Sequence, residues 1–202
     1  PVDDKSKIRK ELGIPQDKFV LIFAGVFKEG KGIYDILKAV PILKKKNLDQ
    51  FSAFFIGSAP NDSIFNNLND IIKNNGIDGI VSFVPQQKEI WKWMQAADAL
   101  IIPSHENNEG MPRVLYEALA CGTAGIASDV PGVNEAVDES CGVLVKEKSP
   151  EDIAEKIEYL MKHPEVLKEM QISGRKRALK LFDIEKHTRA VEDVYVNLMR
   201  TL

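Results

Sequence analysis

Short apolar runs alternate with segments of helical spacing along most of the chain, and this alternation limits the fold more than any other feature. Phe19 to Ala24 (FVLIFA) is a continuous apolar run that stops at Gly25, the pattern of a strand buried on both faces. Gly32 to Lys46 then spaces Ile33, Ile36, Leu37, Val40 and Leu43 three and four apart, as one face of a helix does. Further strand-like runs occur at Phe51 to Gly57, Ile80 to Val84, Ala99 to Ile102, Ala124 to Ser128 and Gly142 to Val145. Helical spacing fills Phe65 to Asn75, Lys88 to Ala97 and Pro112 to Cys121, and three more helices close the chain: Pro150 to Lys162, Pro164 to Leu181 and Ile184 to Leu202.

Strands and helices in this rhythm imply an α/β fold: a doubly wound parallel sheet of about six strands flanked by helices. The first strand ends in a glycine turn before a helix, as a Rossmann-like unit does. No linker or repeat divides the chain, so residues 1–202 read as a single domain. In such a sheet ligands lie beyond the carboxyl ends of the strands. The loops to inspect therefore begin at Gly25, Gly57, Pro85, Pro103 and Asp129.

The net charge of −3 comes from mixed signs, which speaks against a nucleic-acid surface. The two cysteines, Cys121 and Cys141, lie in apolar, glycine-flanked settings and read as buried free thiols of a reducing compartment. No apolar run is as long as a membrane span and no signal peptide is visible, so the cytoplasm is the expected location.

The most informative stretch is Pro103 to Glu135. Pro112 suits the first position of a helix, where its fixed φ helps and its missing N–H costs nothing. The amides of Arg113, Val114 and Leu115 would then be unpaired at the positive end of the helix, just past a strand end, so an anion is the expected occupant. Gly110 would let that anion approach the backbone. Glu109 precedes the helix and Glu117 lies inside it, next to the Leu115, Ala118, Leu119 stripe and so partly buried. A partly buried carboxylate needs donors, and a sugar diol supplies two. A helix-dipole role for Glu109 and an Arg113–Glu117 pair are the alternatives.

Glu109 and Glu117, inside EGMPRVLYEALACG and followed by AGIASD and VPGVNEAV, closely resemble the double-glutamate segment of family 4 of the retaining glycosyltransferases. ELGIPQDKFVLIFAGVFKEGKG, FFIGSAPN, ADALIIPS and FDIEKHTRAVEDVYVNLM extend the resemblance over the length of the chain. The resemblance implies the C-terminal, donor-binding domain of a GT-B-type enzyme, with the N-terminal acceptor domain absent from this chain. It implies a nucleotide-diphosphate sugar as donor, and a sugar, lipid-linked or glycan acceptor. It further implies chemistry without a metal or other cofactor, and membrane contact only through the missing half. By the same resemblance Glu117 holds the ribose hydroxyls and Glu109 contacts the donor hexose near the reacting carbon. The amides of Gly110, Met111, Pro112 onward to Arg113, Val114 and Leu115 are the segment that binds the sugar and diphosphate, Pro112 itself having no N–H to give.

Gly25 and the loop behind it supply Lys28 and Lys31, and the resemblance makes Lys31 a diphosphate ligand. The family usually carries an arginine directly after that glycine; here the position is Val26, with Lys28 and Arg113 as the cations that could replace it. Val84 and Pro85 stand where the family places its base-binding loop, and Gly57 forms a second turn at the rim. His105 reads as an exposed loop histidine, and of Trp91 and Trp93 one packs inward and the other does not. The wording of EGMPR and PGVNEAV is closest to bacterial cell-surface polysaccharide enzymes. The expected activity is hexosyl transfer by the complete protein, with this half alone transferring nothing. A catalytically degenerate nucleotide-sugar-binding module, or an interaction module, is the alternative.

Overall fold

The structure, a computed structural model, describes residues 4–201. A short helix opens the fold, α1 (Lys5–Leu12), followed by strand β1 (Phe19–Val26), helix α2 (Ile33–Lys45), β2 (Phe51–Ser58), α3 (Asp62–Asn74) and β3 (Val81–Val84). The second half continues with α4 (Ile90–Ala96), β4 (Ala99–Ile102), α5 (Arg113–Ala120), β5 (Ala124–Ser128) and β6 (Gly142–Val145), and ends in α6 (Pro150–Lys162), α7 (Pro164–Leu181) and α8 (Ile184–Thr201). The six strands form one parallel sheet in the order β3-β2-β1-β4-β5-β6. This is the doubly wound order expected from the alternation, with the direction of winding reversing between β1 and β4.

The inner strands are buried on both faces, and the helices pack in two groups, α2 with α3 and α6, and α1 with α4, which contacts α5, in turn against α7; α6 and α7 also touch. Phe23, Phe27 and Phe55 are buried in one aromatic cluster with the half-buried Phe83. Trp93 is the inward tryptophan, packed against Phe54, while Trp91 is 40% exposed. Cys141 is buried and Cys121 half-buried, and both are free thiols.

Local chemistry moved several boundaries. The Asn61 side chain accepts from the Ile64 amide and starts α3 at Asp62, three residues before the expected start at Phe65. Helix α5 starts at Arg113, and Pro112 is its extended cap (φ −71°, ψ 110°) rather than its first helical residue. Helix α1 was not anticipated, because KSKIRKEL offers little apolar periodicity. It is held by its cap, Asp4, by the left-handed Gly13, and by Arg9, whose side chain is 7% exposed. Arg9 donates to the Ala96 carbonyl (2.8 Å) and to Asp98 (2.8 Å), and Asp98 also accepts from the Val20 amide (2.7 Å). This network ties α1 to the end of the sheet remote from the loops that follow β1 and β4.

Candidate functional site

β1 and β4 are neighbours in the sheet, with Leu21 beside Ala99 and Ile22 beside Leu100, so the loops at their carboxyl ends emerge side by side. The two loops are stitched together. The His105 amide donates to the Gly30 carbonyl (3.0 Å), and the Lys31 ammonium donates to the Asn108 carbonyl (3.2 Å) and is in direct contact with the Glu109 carboxylate. Ser104 Oγ lies 3.4 Å from the same Glu109 oxygen. Gly32 is left-handed (φ +70°), and a Cβ there would sit 2.0 Å from the Pro103 carbonyl oxygen. Only glycine allows the two loops to come this close.

His105 is buried, contrary to the expectation of an exposed loop residue. Its Nε2 lies 2.7 Å from Asp35 Oδ2 on the first turn of α2, which supplies the hydrogen bond that a buried imidazole needs. Asp35 is one of the residues that sequence reasoning missed; its spacing within α2 marks it only as one polar position among apolar ones.

Two confluent clefts of about 400 and 340 Å³ open above the sheet at the reversal point. Both are lined by Ala24, Gly25, Val26, Arg113, Val114 and Glu117. The smaller cleft also has Lys31, Glu109 and Pro112 in its wall, and the larger has Gly57, Ser58, Gln86, Gln87 and Ile90. Gln86 and Gln87 were not among the expected residues, although their place directly after Val84-Pro85 could have nominated them. Gly57 can stand at this point because it pairs with Gly25 across β1 and β2, where any Cβ would meet the Gly25 carbonyl oxygen at 1.9 Å.

Glu109, with its side chain 16% exposed, is the partly buried carboxylate of the site. Glu117 is exposed, not partly buried as expected, because its side chain faces the cleft while Leu115, Ala118 and Leu119 turn into the core. Among the described residues its carboxylate has no hydrogen-bond or ion-pair partner, and the alternative Arg113–Glu117 pair does not form. The Leu115 side chain is buried and its amide donates to the Pro112 carbonyl (3.0 Å), so that amide is not free as expected. Arg113 and Val114, at the helix start, keep amides with no acceptor among the described residues.

Several expected residues lie outside the two clefts. Lys28 is exposed and lines neither. Val84 and Pro85 line an adjoining cavity of about 410 Å³ walled by Phe27, Phe65 and Phe83, which meets the larger cleft at Gly57 and Ser58. Met111 is exposed on an adjoining groove that shares Arg113 and Glu117 with the clefts, and Gly110 is an exposed loop residue with open space where a Cβ would stand.

Residues 4–177 match the profile of the family described as Glycosyl transferases group 1. Over 99% of its length the chain is 31% identical to a D-inositol 3-phosphate glycosyltransferase of Streptomyces bingchenggensis, of which it covers 45%. The chain thus spans about half the length of the curated relatives that it matches. Its fold superposes on Anabaena Alr3699/HepE, solved in complex with UDP, with a TM-score of 0.88 at 21% identity, covering 96% of this chain and 52% of that one. The C-terminal domain of the group 1 glycosyl transferase LpcC from Francisella tularensis matches with a TM-score of 0.80 at 27% identity, covering 91% of this chain and 95% of that one. Profile, sheet order and the match to an isolated C-terminal domain agree: the chain belongs to the group 1 glycosyl transferases, as the C-terminal Rossmann-like half of a GT-B architecture.

Proposed function

We propose that this domain binds the nucleotide-diphosphate sugar of a retaining hexosyltransferase, and that the complete protein transfers the sugar in bacterial cell-surface polysaccharide or glycolipid synthesis. The observation that carries this reading is the meeting of Glu109, Glu117 and the start of α5 in one pair of clefts at the β1/β4 reversal point. Glu117, with both carboxylate oxygens uncommitted, takes the ribose diol through charge-assisted hydrogen bonds worth about 1.5–3 kcal/mol each. Glu109, oriented by Lys31 and Ser104, faces the hexose near the reacting carbon. The free amides at the start of α5 meet the diphosphate, where fixed donors stabilise charge on the leaving group without needing a metal. A neighbour of the same fold, solved in complex with UDP, supports a nucleotide as the ligand class.

Acceptor recognition and water exclusion belong to the other half of the protein, so these 202 residues alone transfer no sugar. Val26, a hydrocarbon side chain 45% exposed inside the clefts, favours one second reading: a module that binds the donor and no longer turns it over.

Ligand-observed NMR with UDP-, GDP- and ADP-sugars, with chelator and with Glu117→Ala, tests donor binding. Selective binding of one base, insensitive to chelator and weakened by the substitution, is the expected result. Binding that Glu117→Ala leaves untouched would sink the assignment of the site. Transfer assays on the complete protein then separate an active enzyme from a binding module.

A further inference from the structure

We infer that the Arg113 guanidinium is the cation that meets the donor's diphosphate, a side-chain role distinct from that of the amides at the same helix end. The inference rests on the donor-site reading above.

The ionisable side chains that line the two clefts are Lys31, Glu109, Arg113 and Glu117. Lys31 is engaged: its ammonium contacts the Glu109 carboxylate and donates to the Asn108 carbonyl. Glu117 has no ion-pair partner among the described residues. Arg113 is exposed, lines both clefts and has no acceptor among the described residues. With Arg113 removed, two carboxylates and one lysine would leave the clefts net negative, facing a ligand that is itself an anion. With Arg113 present the clefts are neutral before the ligand arrives, and the one uncommitted cation stands at the positive end of α5.

The other candidates for this charge fail on geometry. Lys28 lines neither cleft, and Val26 presents only hydrocarbon at the end of β1. A guanidinium is also the better group for the task, because its planar fork engages two phosphate oxygens at once and stays charged at every relevant pH.

The test is titration of the chain with UDP, GDP and ADP and with the matching nucleosides, followed by ligand-observed NMR at low and high salt. Wild type is compared with Arg113→Met, Arg113→Lys and Lys28→Met, each checked for fold by circular dichroism. Arg113→Met is expected to weaken the preferred diphosphate about tenfold or more and to leave the nucleoside unchanged. Arg113→Lys should restore part of the loss, Lys28→Met should match wild type, and the difference between wild type and Arg113→Met should shrink at high salt. Equal diphosphate affinity in Arg113→Met and wild type overturns the inference while leaving the donor site standing. So does equal loss of diphosphate and nucleoside, or a loss that appears in Lys28→Met instead. If wild type binds no nucleoside diphosphate, the donor-site reading falls and the inference falls with it.

Discussion

Lys31 in the loop after β1 is ion-paired with Glu109 in the loop after β4, across 78 positions of sequence. The pair forms because β1 and β4 are adjacent strands and because glycine at position 32 lets the loops close on each other. Its consequence is that the orientation of Glu109 depends on a residue of a different βα unit.

If the complete protein is the hexosyltransferase proposed, Glu109→Gln removes the carboxylate charge from the proposed reacting end of the site. Turnover should fall by about 10²-fold or more, with donor affinity changing far less. Lys31→Met should lower both, since it releases Glu109 as well as removing a cation. Steady-state kinetics with separate kcat and KM values checks the contrast; equal losses in the two variants would contradict it.

Gly32→Ala should destabilise the fold directly. The new methyl meets the Pro103 carbonyl oxygen at 2.0 Å, and alanine resists the left-handed φ of +70°. Strain of this kind costs about 1–3 kcal/mol from the backbone alone, before the clash is relieved. A thermal melt should show a drop of several degrees, and a melt identical to wild type would disprove the close approach of the loops.

Asp98→Ala breaks the network that holds α1. The substitution leaves Arg9 buried without its carboxylate and the Val20 amide without its acceptor. The expected cost is about 3–5 kcal/mol, the usual penalty for orphaning one member of a buried pair. For a chain of this size that is a fall of roughly 6–20 °C in Tm. Denaturant unfolding of the variant measures the cost.

Burial pushes the thiols of both Cys121 and Cys141 above their ordinary range, Arg175 and Arg177 pulling the other way by less. Because a raised thiol pKa keeps the protonated form, neither cysteine should carry appreciable thiolate at pH 7 to 8. Alkylation by iodoacetamide should be much slower in the native chain than after denaturation, and should accelerate as pH rises. Rapid labelling of either residue at neutral pH would show that the burial is wrong.

The strands were legible because the inner ones are buried on both faces and read as largely apolar runs, such as FVLIFA and ALII. Helices with an apolar stripe were equally plain, with ends displaced where a cap such as Asn61 governed the start. Helix α1 escaped notice because its stability comes from Arg9 reaching Asp98 and Ala96, a contact that no local pattern announces. His105 illustrates the same point from the other side: a loop histidine without its partner reads as solvated, and only the position of Asp35 on α2 makes its burial affordable. For Trp91 and Trp93 the spacing required opposite faces, while the choice of the inward one depended on Phe54 in β2.

The sequence by itself determined the class of fold, the strand-end loops and the Glu109–Glu117 segment, because periodicity, glycine turns and helix starts are properties of neighbouring residues. Tertiary structure alone decided which loops meet, that Glu117 faces the cleft uncommitted, that Lys31 is spent on Glu109, and that Arg113 rather than Lys28 reaches the site. Those facts follow from the strand order, which sets β1 against β4 through backbone hydrogen bonds that every residue offers alike. A pairing written in groups common to all residues leaves no mark in the local pattern, yet it fixes which side chains share a site.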